Sequence, residues 1–150
     1  MATETIQAID NELHISEVME NLAEAVRTKD VEKMIASYAP DVVDFDVVDP
    51  LQYIGADAVK ERAVQWLSNF EDGLVGYEVG DLRITAGDDT AFCHSLNHVY
   101  AMLKDGNKID MWWRATVCLQ KIDGKWLITH IHSSVPFDME TGKASLDLKP

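Results

Sequence analysis

The sequence is poor in basic residues, in cysteine and in long apolar runs. Lys and Arg number 13 against 26 Asp and Glu, which gives a formal net charge of −13. Nucleic acids and anionic membranes are bound by clustered basic side chains, so we expect neither as a partner. Cys93 and Cys118 are the two cysteines, too few for a disulfide framework. No stretch approaches the roughly 20 apolar residues of a membrane span, and the start lacks a leader pattern, so we expect a cytoplasmic protein.

The first half of the chain has the spacing of helices. Apolar residues recur at helical intervals over residues 4–27, which predicts a long first helix. Asp30 is placed to cap a second helix over residues 31–38, which Pro40 ends. Asp57 is placed to cap a third helix. Between these two helices, β-branched segments at 42–48 and 51–54 predict two short strands.

From residue 73 onward the pattern alternates with a period of two. Short turns separate four long runs, which predicts an antiparallel meander over residues 75–86, 90–103, 108–121 and 125–135. Helices followed by strands indicate an α+β fold of about six strands, in which three helices cover one face of a curved antiparallel sheet. Residues 1–150 are expected to form one domain, with residues 137–150 as a C-terminal extension.

The last two strands have two different faces, neither typical of a solvated surface. One face is mainly apolar, and we expect the helices to cover it. It carries Met111, Trp113, Val117, Leu119, Leu127 and Ile131. The other face carries Trp112, Arg114, Trp126, His130 and His132. Interfaces between proteins are rich in Trp and Arg, so this second face predicts a homodimer.

Four segments carry a resemblance to a known superfamily: residues 29–41, 55–59, 123–126 and 130–134. With the order of helices and strands, they resemble the nuclear-transport-factor-two-like superfamily, which includes ketosteroid isomerase and the SnoaL-like polyketide cyclases. The resemblance covers nearly the whole chain. It implies a cone-shaped sheet around a pocket for a small apolar or amphipathic organic molecule, and it implies neither a cofactor nor a metal.

Alignment with ketosteroid isomerase places Asp46 on the family's general-base aspartate. A carboxylate in an apolar cone has its pKa raised, which suits a proton acceptor. Asp44 falls on the same strand face as Asp46. The family's oxyanion donors are missing, because Leu22 stands where the tyrosine would be and residues 115–117 contain no acid. We therefore expect another proton-transfer reaction, that of an isomerase, cyclase or hydrolase, rather than steroid isomerisation.

The other predicted ligand-binding residues are aromatic or polar members of the inner face. They are Tyr53, Trp66, Asn97, Trp113, Thr129 and Ser133. A single β-bulge would exchange the faces and bring Arg114, His130 and His132 inside instead. Inward Arg114 would then suggest a carboxylate ligand. The paired histidines also have a spacing that can bind a metal, but no carboxylate accompanies them at ligand spacing, so no metal is predicted.

A non-catalytic ligand-binding or assembly module is the alternative to an enzyme, since the superfamily contains both. The cone distinguishes the two hypotheses. A cavity packed by Trp66 and Trp113, with Asp46 in solvent, would favour the module. An open apolar cavity with Asp46 in its wall would favour the enzyme.

Overall fold

The computed structural model describes residues 2–150, in three helices and six strands. The helices are α1 (Ala2–Arg27), α2 (Val31–Ile35) and α3 (Ala56–Leu67). The strands are β1 (Tyr38–Phe45), β2 (Tyr53–Ile54), β3 (Gly76–Ala86), β4 (Thr90–Met102), β5 (Lys108–Ile122) and β6 (Lys125–Ser134). The predicted α+β class and the C-terminal meander are confirmed.

The six strands form one curved, unclosed sheet in the order β2-β1-β6-β5-β4-β3. All neighbours are antiparallel except β1 and β6, which pair in parallel. The sequence predicted only antiparallel neighbours, because alternation reveals which residues share a face and not which distant strands pair. The parallel pairing brings the first long strand beside the last one, and the helices pack on the concave side of the sheet.

The boundaries of the early elements differ from the predicted ones. The second helix ends at Ile35, and Tyr38 already begins β1. Pro40 therefore lies within a strand, where the pairing with β6 is irregular between Tyr38 and Val43. A proline is tolerated at such an irregularity because the ladder does not need an N–H donor there. The third helix is preceded by Gly55 at φ +90°, a conformation that favours glycine, so Asp57 is not its cap.

A β-bulge at Thr129 changes the faces of the last strand. Cys118 pairs with His130 and Leu119 pairs with Ile128, so Thr129 is the extra residue between them. Before the bulge, Trp126 and Ile128 are buried in the core. The predicted inward placement of Leu127 and Thr129 is therefore wrong.

The core lies between α1, α3 and the concave face of the sheet. Its fully buried side chains include Ile15, Phe70, Leu119 and Ile128.

None of the helices within residues 2–150 is long and apolar enough to cross a membrane. Beyond β6, residues 136–145 fold back on themselves, with Phe137 bridging Ala144.

Candidate active site

A partly open cavity of about 170 Å³ lies between the helices and the sheet. Most of its wall is apolar, which predicts that it excludes water from any polar group that points into it. The apolar and aromatic lining comes from α1, α3 and the meander: Met19, Leu22, Val59, Ala63, Trp66, Tyr77, Val99, Met111, Trp113 and Val117.

Five of the predicted site residues line this cavity, namely Asp46, Trp66, Asn97, Trp113 and Ser133. Their roles in binding or catalysis stay predictions. Tyr53 and Thr129 do not line it, which corrects their expected placement. The Tyr53 hydroxyl donates to the Asp49 carbonyl at 3.4 Å, because its strand lies at the sheet edge. The Thr129 hydroxyl donates to the Cys118 carbonyl at 3.3 Å, because Thr129 is the bulge residue.

The alternative pocket of Arg114, His130 and His132 is not formed, because these residues lie on the convex face. Exposed Arg114 donates from Nε to Ser134 Oγ at 3.2 Å. The His130 ring donates from Nδ1 to the carbonyl of Val43 at 2.7 Å. The alternative required a bulge that brings these side chains inside, but the bulge at Thr129 lies N-terminal to both histidines and instead turns Trp126 and Ile128 inward. Among residues 2–150, no three His, Cys, Asp or Glu side chains are grouped to hold a metal ion.

Asp46 is engaged through both of its carboxylate oxygens. One oxygen pairs with Arg62 Nε at 2.7 Å, and the other accepts the Val47 N–H at 2.6 Å. The side chains of Arg62 and Asp46 are 20% and 18% exposed, so the pair is largely withdrawn from solvent. Both carboxylate oxygens of Asp46 therefore already accept a hydrogen bond from the protein itself.

Asp44 lies beside this pair and its carboxyl group is free. Among residues 2–150 it has no side-chain hydrogen bond or ion pair, and it lines the cavity. Burial in the cavity wall, together with the nearby charge of Asp46, raises the pKa of Asp44 to about 7, while Arg62 opposes the shift. Asp44 is therefore poised to exchange a proton near neutral pH.

Two buried tyrosines face the same cavity, Tyr38 from β1 and Tyr77 from β3. Ser95 Oγ donates to Asn97 Oδ1 at 2.8 Å, and Asn97 Nδ2 donates to Tyr77 Oη at 3.1 Å. The Tyr77 hydroxyl therefore accepts from this chain and keeps its own proton for another acceptor. Burial raises the pKa of both phenols well above the ordinary value, so both stay protonated donors.

This arrangement of helices, sheet and cavity has counterparts among known proteins. The sequence pattern of the SnoaL-like domain matches residues 15–138. The chain belongs to the SnoaL-like domain family. The predicted superfamily resemblance is thereby confirmed. A search of the curated proteins found no match to this sequence.

Solved structures agree with this SnoaL-like assignment. An NTF2-like protein of unknown function from Pseudomonas putida KT2440 is 34% identical, with a TM-score of 0.82 over 99% of this chain and 97% of that one. A ketosteroid isomerase-like protein from Erwinia carotovora atroseptica SCRI1043 is 20% identical, with a TM-score of 0.69 over 81% and 93%. An NTF2-like protein with a cystatin-like fold from Novosphingobium aromaticivorans is 12% identical, with a TM-score of 0.72 over 89% and 86%. The last two show the fold alone.

The sequence missed three residues of this SnoaL-like site, namely Arg62, Tyr38 and Tyr77. The sequence comparison found no tyrosine on the first helix at the position of the family's oxyanion donor, and the two tyrosines that line the cavity come from strands instead. One signal was available for Tyr77, since it alternates with Val75 and Val79 at the apolar start of its strand. No comparable signal marked Arg62, whose partner lies 16 residues away.

The convex face of the SnoaL-like domain carries several aromatic side chains that are partly exposed to solvent. The His98 ring stacks on Trp112 with centroids 4.3 Å apart, and its Nε2 lies 2.7 Å from Asp110. Phe92 and Tyr100 on the same strand are 47% and 45% exposed. Homodimerisation through this face stays a prediction.

Replacing Arg62 with Met is expected to destabilise the fold by about 1–3 kcal/mol, because Asp46 would remain as an unpaired, largely buried charge. Urea unfolding at pH 7.5 measures the difference as a shift of the denaturation midpoint. Arg83→Met is the matched control, since Arg83 is exposed on β3 and has no ion pair among residues 2–150. Equal midpoints for the two variants would show that the Arg62–Asp46 pair contributes nothing.

Proposed function

We propose that this SnoaL-like domain is a cofactor-independent enzyme that moves a proton within a small carbonyl compound. Asp44 is the base and Tyr77 stabilises the oxyanion. Asp46 and Arg62 form the ion pair that sets the electrostatic environment of Asp44. This proposal replaces Asp46, the base suggested by the family alignment, with its neighbour two residues earlier.

The free carboxyl of Asp44 in an apolar cavity is the observation that carries the proposal. Asp46 has the stronger sequence argument, but both of its oxygens are occupied. A general base needs an accessible lone pair and a pKa near the working pH, and Asp44 has both. A partly open cavity with acidic side chains in its wall also favours an enzyme over a packed module.

The step itself balances without a cofactor. Asp44 accepts a proton from the carbon next to a carbonyl group, and the C–H electron pair moves to form an enolate. The negative charge collects on the carbonyl oxygen, where the Tyr77 O–H donates to it. Where a second double bond extends the enolate, protonated Asp44 returns the proton to the far carbon of that dienolate, which gives an isomer. Where a leaving group stands on the β-carbon, the carbonyl re-forms, a Cα=Cβ double bond forms, and the group departs with the proton of Asp44. Tyr38, whose hydroxyl has no hydrogen bond among residues 2–150, is a second donor to the same oxygen.

The cavity volume limits the substrate to about one ring. An apolar cavity of about 150 Å³ binds benzene, and this one is about 170 Å³. A four-ring steroid is larger than that volume. The ring would lie against Trp66 and Trp113, which meet edge to face at 6.4 Å.

The test is deuterium exchange in heavy water with cyclohexanone, cyclohexenone and acetophenone, followed by mass spectrometry. We expect the protein to accelerate α-carbon exchange of at least one of them above a buffer with the same carboxylate concentration. Thermal shift with the same compounds reports binding separately. A compound that raises the melting temperature without any accelerated exchange would indicate a non-catalytic binding module. Absence of both effects across the panel would remove the proposal.

A further inference from the structure

A second, outer cavity adjoins the inner one, and the two share Trp66 and Ile109 as a common wall. The Trp66 ring meets Trp113 at 6.4 Å on the inner side and Phe70 at 5.5 Å on the outer side. The indole therefore lies between the two cavities and borders both of them. Its N–H has no hydrogen bond among residues 2–150, so the ring is held by packing alone.

The outer cavity is a built feature, because two backbone hydrogen bonds hold its sides together. Lys104 donates its N–H to Asn69 at 2.9 Å, and Glu71 donates its N–H to Met102 at 3.0 Å. Phe70 and Leu103 form a β-bridge between these two bonds. The space therefore cannot close by movement of one loop alone.

Among the lining residues that the structure describes, Lys104 contributes the one free positive charge of this outer cavity. The polar side chains of Ser68 and Asn69 already donate to the Gln65 carbonyl at 2.8 and 3.1 Å. Asp105 accepts the Asn107 N–H at 2.9 Å in its own turn. The ammonium group of Lys104 has no ion pair or hydrogen bond among residues 2–150. Lys104 and Asp105 are both exposed and both line this cavity, and in a chain of net charge −13 the Lys104 ammonium is the contact here that favours an anionic group.

We propose that the ligand occupies both cavities, with its ring in the inner one and an anionic tail that passes Trp66 and ends at Lys104. This inference rests on the proposed function, because it takes the inner cavity as the place of the reacting ring. It names the substrate class: a single-ring carbonyl compound that carries a carboxylate on a short chain.

The test uses phenylbutyrate, its uncharged amide and toluene as probes, with tryptophan fluorescence of the full chain as the readout. We expect the wild type to bind phenylbutyrate about tenfold more tightly than the amide, since a charged contact strengthens binding by about that factor. Lys104→Gln is expected to remove this preference and to leave toluene binding unchanged. Lys108→Gln, an exposed lysine outside both cavities, is the matched control and is expected to keep the preference.

A second variant tests Trp66 itself. Trp66→Ala removes the ring that lies between the two cavities, and we expect it to bind naphthalene about fivefold more tightly than the wild type does. A cooperative urea-unfolding transition of the variant is the check that this gain does not come from a loosened fold. Equal binding of phenylbutyrate and its amide by the wild type would overturn the anionic tail. The anionic tail would also be overturned if Lys104→Gln and Lys108→Gln lost the preference for phenylbutyrate over its amide to the same extent. If toluene itself does not bind, the inner site fails, and both this inference and the proposed function fall together.

Discussion

Replacement of Asp44 by Asn is expected to slow proton transfer by about 10²–10⁴-fold, because the amide cannot accept the proton. The wild-type rate is expected to rise as the pH passes through about 7, where the Asp44 carboxyl loses its proton. Deuterium exchange of the best ketone, followed from pH 5 to pH 9, measures both effects. Asp41→Asn is the control for the strand, since Asp41 is exposed on β1.

Asp46→Asn separates the two candidate bases. Its charge raises the pKa of Asp44, so its removal is expected to move the rising limb of the pH profile to lower pH and to retain turnover. If Asp46→Asn is inactive and Asp44→Asn keeps wild-type rates, the base is Asp46 and the family alignment was the better guide.

Stability provides the check that Asp44→Asn does not simply unfold the protein. The pKa of Asp44 is about 7 in the fold against an ordinary value of 3.8, so between these values the folded state holds a proton that the unfolded chain has lost. Stability therefore falls as the pH rises through this window and stays lower above it. The Asp44→Asn variant has no carboxyl group at this position, so its stability does not fall in this way as the pH rises. We expect it to be more stable than the wild type at pH 8 by about 1–2 kcal/mol, after allowance for solvent in the open cavity.

The sequence predicts the fold well because the fold depends on local periodicity. Alternation in β5 places Trp113 and Val117 on the concave face, where the structure has them. Alternation fails to predict the faces of β6, because a single extra residue at Thr129 shifts the period. No glycine, proline or other turn residue marks this bulge in the sequence. The parallel pairing of β1 with β6 is likewise invisible to any local pattern.

The candidate site is only half predictable, for a related reason. Asp44 and Asp46 share a strand face by their spacing, so the sequence correctly brings two carboxylates together. Which of them is free depends on Arg62, which α3 brings to within 2.7 Å of Asp46. That contact exists only after α3 packs against β1. A site that depends on the packing of distant elements cannot be ranked from the sequence of either element alone.

Replacement of Tyr77 by Phe is expected to lower the rate of enolate formation by about 10²-fold, because one oxyanion donor is removed from a cavity with little water. The ring itself remains, with its centroid 5.9 Å from that of Trp113, so ligand affinity is expected to change little. The loss should therefore fall on kcat rather than on KM. The rising limb of the pH profile should stay at about 7, since Asp44 is untouched.

Tyr100→Phe is the matched control for Tyr77→Phe, because Tyr100 lies on the convex face and its hydroxyl is 3.5 Å from Glu78. Tyr77→Phe also leaves Asn97 Nδ2 without its acceptor, which costs about 1 kcal/mol of stability and must be measured alongside the rate. Rates equal to those of Tyr100→Phe would exclude Tyr77 as the donor. Tyr38→Phe then decides the remaining case, since a hundredfold loss there would move the oxyanion contact from β3 to β1 and place it beside Asp44.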